Sequence, residues 1–378
     1  MMTEAKMTRI ELIKNMYRHD FSSFNGFAFQ ALYPHMKYHD NWHIHALAEV
    51  LSRAERGEVQ RLIINMPPRM LKSFCASVSL PAWILGRDPH KKILCLHSGN
   101  TLGQELHESC LRLITNPRYM GVFDHMAVAP QSRRFSTSFG GGRQYMSIHE
   151  PLTGLGADYI IVDDPISTMD AQNEHERRRL NGQFDQNILQ RLNNKKSGVI
   201  ILVMQRLHEH DLSAHLLAKN EGWELISMPA IAMQDETWKL PRGQIYIRKK
   251  GEPLHKERET HEQLADILRS IGGYPFAYQY LQGQYKTKFG EAGEGGVWLE
   301  PTREGEFYDM YDSPQRPQGL FRMNEIDFML PRIFNIGEDP IPANAREPTM
   351  EEVLHNAKRN REVMLEHQRK VASGELDF

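Results

Sequence analysis

Cysteine is scarce: Cys75, Cys95 and Cys110 are the only three in 378 residues, and none stands in a C-x-x-C pair. That excludes a disulfide framework and a zinc knuckle, and leaves reduced core thiols in a cytosolic compartment. Net charge is also lacking. Lys and Arg number 46 against 48 Asp and Glu, so no global basic field marks the chain for nucleic acid, and any such surface must be local. No apolar run approaches membrane-spanning length, and the start MMTEAKMTRIELIKN carries no apolar signal core. These absences predict a soluble, cytoplasmic protein with no membrane partner. Internal repeats are absent too.

What is present is an α/β alternation. Residues 1–60 read as helical, with one loose apolar stripe at Ile10, Leu12, Ile13 and Tyr17 and another from Ile44 to Leu51, started near Asp40 or Asn41. Short apolar runs follow at 61–66, 92–97, 144–148, 159–162, 199–204 and 223–227, with helical stretches between most of them. Fully apolar strands alternating with helices predict a parallel sheet covered on both faces. Beyond Pro229 the composition turns polar and basic, with Gln244–Arg248 a candidate hairpin strand and 260–285 helical. Residues 290–296 (GEAGEGG) read as a flexible linker, 297–348 carry many prolines, and 349–373 form a charged helical stretch.

The stretch Arg61–Ser73, RLIINMPPRMLKS, organises the rest. An apolar strand, a tight proline-bearing loop and a Lys-Ser pair opening a helix make the layout of a phosphate-binding loop. Backbone N–H groups cradle phosphates there, Lys72 reaches the β/γ oxygens and the Ser73 hydroxyl holds Mg²⁺. Against G-x-x-x-x-G-K-[ST], however, Met66 and Leu71 occupy the glycine positions. Glycine serves there because the backbone takes positive φ close to the phosphate.

The second half of such a site is DYIIVDDP, Asp158–Pro165, about ninety residues on. An apolar strand ending in two acids is the Walker B arrangement, with Asp163 assigned to the metal and Asp164 to the attacking water. A third strand, VIILVM, ends in Gln205-Arg206, where a polar side chain can touch the γ-phosphate and report its loss.

Six blocks in order, NWHIHALAEVL, LIINMPPRMLKS, SVSLPAWILGRDP, LTGLGADYIIVDDP, ILVMQRLHEHDLSAHLL and YPFAYQYLQGQ, resemble the large terminase subunit of tailed bacteriophages and prophages. The resemblance implies a three-layer P-loop NTPase of the additional-strand, catalytic-glutamate class. It divides the chain into a helical N-terminal lead (1–40), an ATPase core (41–228), a small linker subdomain (229–289) and a divergent tail (290–378). It implies an ATPase that uses ATP and Mg²⁺ to drive double-stranded DNA into a procapsid. Its implied partners are the portal protein, the small terminase subunit and further copies of itself in a ring. Within the loop it implies phosphate contacts from Pro68, Leu71, Lys72 and Ser73, an Arg69 able to reach the γ-phosphate, and coupling through Gln205 and Arg206.

Three departures accompany the resemblance. Leu155 stands where related sequences often carry an arginine, so Arg143 or Arg69 would have to meet transition-state charge. The catalytic acid is Asp164 rather than a glutamate. After Gln284 no run of strand-borne acids suggests the nuclease usual in such proteins; Asp327 is the best remnant, and one acid cannot make a two-metal site. Two basic clusters, Arg177-Arg178-Arg179 with Arg191, Lys195 and Lys196, and Arg248-Lys249-Lys250 with Lys256 and Arg258, are candidate DNA-facing elements. His35, His39 and His43 have zinc-like spacing, but Pro34 and the cap signal at 40–41 argue against one continuous helix. Two other readings stay open: a non-hydrolysing structural remnant, and a helicase, although no second alternating α/β set follows Trp223.

Overall fold

The computed structural model describes residues 9–123 and 127–283. The 290–296 linker, the 290–378 tail and Asp327 lie outside the described residues. Three helices lead: α1 (Arg9–His19), α2 (Phe21–Leu32) and α3 (Trp42–Glu55). Asp20 caps α2, accepting from the Ser22 N–H at 3.1 Å.

Eight strands follow: β1 (Arg61–Asn65), β2 (Lys92–His97), β3 (Val128–Pro130), β4 (Arg134–Thr137), β5 (Gly142–Ser147), β6 (Tyr159–Asp163), β7 (Val199–Met204) and β8 (Glu224–Ser227). They form one sheet in the order β3-β4-β5-β2-β6-β7-β1-β8. Pairing is parallel from β5 across to β8, while β4 and β3 extend the β5 edge antiparallel. The fold is therefore α/β with a mostly parallel sheet. An additional strand, β7, lies between the loop strand β1 and the acid-bearing strand β6.

Alternation along each strand divides the core in two. Leu62, Ile64, Ile93, Cys95, Ile161, Ile201 and Val203 face one cluster, with α2, α3, α4 (Leu80–Arg87), α5 (Asn100–Ile114) and α6 (Pro117–Val122) above them. Ile63, Leu94, Leu96, Ile160, Val162, Ile200 and Leu202 face the other, covered by α7 (Glu174–Gln183) and α8 (Leu212–Ala218). Burial on both faces is why these strands read as unbroken apolar runs rather than alternating ones.

A third, small cluster joins Ala230 and Ile231 to Leu264 and Leu268 of α9 (His261–Ile271) and Phe276 and Leu281 in and after α10 (Gly273–Gln279). Thr260 and Gln263 form a capping box at the start of α9. Between these segments β9 (Glu236–Lys239) and β10 (Ile245–Arg248) pair as the hairpin expected from the sequence. It docks on α3 through Tyr246, stacked on Trp42 with ring centroids 4.7 Å apart.

Two sequence expectations change here. The α1 stripe is not core: Ile10 is 67 % exposed and Leu12 52 %, and only Tyr17 of that set packs inward, against Phe27. The helical stretch between the runs at 159–162 and 199–204 is not one continuous α-helix: a ten-residue α7 widens into a π-helical turn at Phe184–Ile188.

Candidate active site

The site forms where β1, β7, β6 and β2 end side by side. After β1 the chain passes Pro67 and Pro68 and makes two left-handed turns, Arg69 at φ 61° and Leu71 at φ 62°. Leu71 thus adopts the backbone conformation for which glycine is usual. For a branched side chain this costs about 1–3 kcal/mol. Leu71 is held there by packing against the main core and by its carbonyl, which accepts from the Cys75 N–H at 2.9 Å. The other glycine-position residue, Met66, is not among the positive-φ residues and is fully buried.

Lys72 and Ser73 meet the Asp163-Asp164 pair. The Ser73 hydroxyl donates to Asp163 Oδ1 at 3.0 Å, and Lys72 Nζ lies 3.3 Å from Asp164 Oδ2. Ser77, which sequence reasoning missed, donates to Asp163 Oδ2 at 2.6 Å. Ser73 and Ser77 are four residues apart across the start of a π-helical turn, Phe74–Ser79, so both hydroxyls face the same carboxylate. The only available signal for Ser77 was that i, i+4 spacing on a helix of otherwise apolar composition.

Asp163 is 0 % exposed, and burial together with the neighbouring Asp164 raises its carboxyl above the ordinary range, with Lys72 and the two serines opposing. A buried carboxylate with only two neutral donors on its oxygens suits a nearby cation. Ser73 and Asp163 therefore fit Mg²⁺, which takes few protein ligands and completes its shell with phosphate and water. Among the described residues no group of three His, Cys, Asp or Glu side chains could hold a metal ion by itself.

Asp164 has φ 43°. Its N–H donates to Val203 O at 2.8 Å, and its carbonyl accepts from the Ser98 N–H at 3.2 Å. Asn65, at the end of β1, donates to Met204 O at 3.3 Å and Ser213 Oγ at 2.9 Å, joining the loop strand to β7 and α8.

Gln205 and Arg206 differ in setting. The Gln205 Oε1 is buried with no hydrogen-bond partner. Arg206 is engaged: its Nε donates to both oxygens of Asp211 at 3.0 and 2.8 Å, and its backbone N–H to Gln282 Oε1 at 3.0 Å. Gln282 is a second residue that sequence reasoning did not single out.

Other candidates are placed elsewhere. Arg143 is 1 % exposed and bonds Ser77 O at 3.1 Å and His107 Nδ1 at 3.0 Å, so it cannot serve as a mobile arginine. Arg69 is exposed, and its charge with that of Arg258 opposes the burial that raises Glu259. Arg177 is buried on Ala171 O, which takes it out of the first basic cluster, while Arg178 and Arg179 stay exposed and pair with Glu174 and Glu176. In the second, Arg248 is fully buried, bonding Glu236, Pro229 O and Glu252 O. A cavity of about 340 Å³ adjoins the loop at Arg69, Met70 and Leu71, with Phe29, His43 and His255 among its walls.

No family model and no curated protein matches the chain. Solved structures do. The HK97 bacteriophage large terminase is 12% identical with TM-score 0.36, the match covering 59% of this chain and 44% of that one. A mutant of the Thermus phage P74-26 large terminase ATPase domain is 12% identical with TM-score 0.40, covering 67% and 96%. The large terminase of a thermophilic bacteriophage, in complex with ADP, is 7% identical with TM-score 0.39, covering 62% and 52%. Each is a phage large terminase. The match thus spans less than half of the HK97 terminase, and 96% of the P74-26 ATPase-domain mutant.

Proposed function

We propose that the chain is the ATP-hydrolysing motor part of a phage terminase. The observation that carries this reading is the meeting of Lys72 and Ser73 with Asp163 and Asp164, across an intervening strand whose tip carries Gln205. In the proposed cycle the phosphates of ATP lie on the loop N–H groups between Pro68 and Ser73. Lys72 exchanges Asp164 for the β/γ oxygens, which leaves the Asp164 carboxylate free to orient water. That carboxylate takes the proton as the water oxygen bonds to the γ-phosphorus, and the bond to the bridging oxygen breaks with its electron pair leaving on ADP. Ser73 and Asp163 would hold Mg²⁺, which would supply charge neutralisation. The base of ATP occupies the cavity beside the loop, a volume suited to a small ligand.

Loss of the γ-phosphate is read by Gln205, whose side-chain amide N–H donates to phosphate oxygen, and passes through Arg206 to Gln282 and the small helical cluster beyond. Motion of that cluster advances double-stranded DNA along its phosphates without reading sequence. The portal, a small terminase subunit and further copies of the chain in a ring are the proposed assembly, with host cytoplasm as its place. Among the described residues no helix is long and apolar enough to cross a membrane.

The test is phosphate release from ATP with and without duplex DNA. The expected result is stimulated hydrolysis that Lys72→Ala reduces by at least ~10²-fold. Binding of ATP without turnover would favour the non-hydrolysing remnant. Separation of a forked duplex would favour a helicase.

A further inference from the structure

The peptide joining Asp163 to Asp164 sets where the second carboxylate points, because Asp164 leaves it at φ 43°. Both ends of that peptide are tied. Its N–H, on Asp164, donates to Val203 O at 2.8 Å, a main-chain contact. Its carbonyl, on Asp163, is bonded by the ring of His97 through Nδ1 at 3.2 Å. One bond further on, the Asp164 carbonyl accepts from the Ser98 N–H at 3.2 Å. Two of the three ties are backbone to backbone, and His97 alone contributes a side chain.

The ring is built into place. His97 is the last residue of β2 and 0 % exposed. A carbonyl oxygen only accepts, so Nδ1 carries the proton and Nε2 keeps its lone pair; Nε2 is buried with no partner. Gly103 of α5 makes the seat. A Cβ there would come 3.0 Å from His97 Cδ2 and 2.6 Å from Tyr145 Cδ2, so only glycine lets α5 approach this closely. A buried imidazole with one of its nitrogens unsatisfied is a costly choice for mere filling.

We propose that His97 is a positioning residue: by holding the Asp163 carbonyl it keeps the following carboxylate aimed at the nucleotide, without touching substrate. This rests on the ATPase reading above, and goes beyond it in giving β2 a role in the chemistry. The role predicts a separation between binding and turnover, since the phosphate loop is untouched when the ring is removed.

The experiment compares His97→Leu, which removes the donor, with His97→Asn, whose amide nitrogen reaches the place of Nδ1. His97→Gln, which carries its N–H about one bond further out, stands in if the leucine variant does not fold. For each, Mg-ATP affinity, kcat and a crystal structure are obtained. Removing the donor is expected to leave affinity within about threefold and lower kcat by about 10–100-fold, as misplacement of about 1 Å does. Asn is expected to restore most of kcat. In the structures, Asp164 is expected to leave positive φ in the Leu or Gln variant and keep it in Asn. Unchanged kcat with unchanged Asp164 geometry in the Leu or Gln variant would overturn the proposal. So would equal losses of affinity and stability in the Asn variant. If the parent itself does not hydrolyse ATP, the ATPase reading fails, and Asp164 φ in the variants still decides whether His97 positions it.

Discussion

Three residues of the site, Arg69, Leu71 and Asp164, hold left-handed backbone that their side chains disfavour. Strain of this kind persists only where surrounding structure imposes it, and here it sits on the loop after β1 and on the second acid of the Asp163-Asp164 pair. Arg69 is the exposed member, so relief there is readable. Arg69→Gly is expected to raise stability by roughly 1 kcal/mol, strain relief exceeding the entropy of glycine, while lowering hydrolysis if the guanidinium reaches the γ-phosphate. Thermal unfolding and turnover measured together check this, and a lower Tm would show that the turn is unstrained. Ser77→Ala is expected to destabilise by about 1–3 kcal/mol, since it leaves Asp163 Oδ2 buried without a donor. A denaturant titration with unchanged midpoint would contradict that. The Lys-Ser pair and the twin acids were legible in the sequence because their chemistry is tied to residue type. Leu71 was not: a leucine in a glycine's conformation is decided by tertiary packing, against its own propensity.

At the scale of elements, the hairpin shows how a charge cluster misleads. Along β10, Ile245 and Ile247 face solvent at 64 % and 58 % exposure, while Tyr246 and Arg248 turn in. Arg248 lies over the Trp42 ring at 5.6 Å and pairs with Glu236 at 3.3 Å. Sequence runs of basic residues do not reveal which side of a strand is inward, and here the register inverts the usual pattern. Arg248→Ala is expected to cost about 1–3 kcal/mol by leaving the carbonyls of Pro229 and Glu252 without their donor. A stability loss under 1 kcal/mol, with DNA binding weakened instead, would return Arg248 to the DNA-facing role. The central strands were legible as apolar runs bounded by turns. The β3–β4 edge was not, since strands of three and four residues, one holding Pro130, carry no periodicity.

At the scale of the whole molecule, the buried His43, His97, His107 and His208 respond to acid together. Burial comes first among the causes that push His43 and His97 down to about 3, and His107 and His208 down to about 4. Their folded-state values lie below the unfolded value near 6.5, so the unfolded chain binds more protons in between. Stability from these groups is complete above about pH 6.5 and is lost as pH falls toward 3–4. The melting temperature is expected to drop between pH 7 and pH 5, and a flat or rising profile would contradict the burial of these rings as neutral groups.

The proposed convergence of two distant stretches on one Mg-nucleotide is most directly tested by a double-mutant cycle on Mg-ADP affinity with Ser73→Ala, Asp163→Asn and both together. If both residues serve one site, the double variant binds about as weakly as either single one, a coupling of about 1 kcal/mol or more. Losses that add within about 0.3 kcal/mol would contradict it.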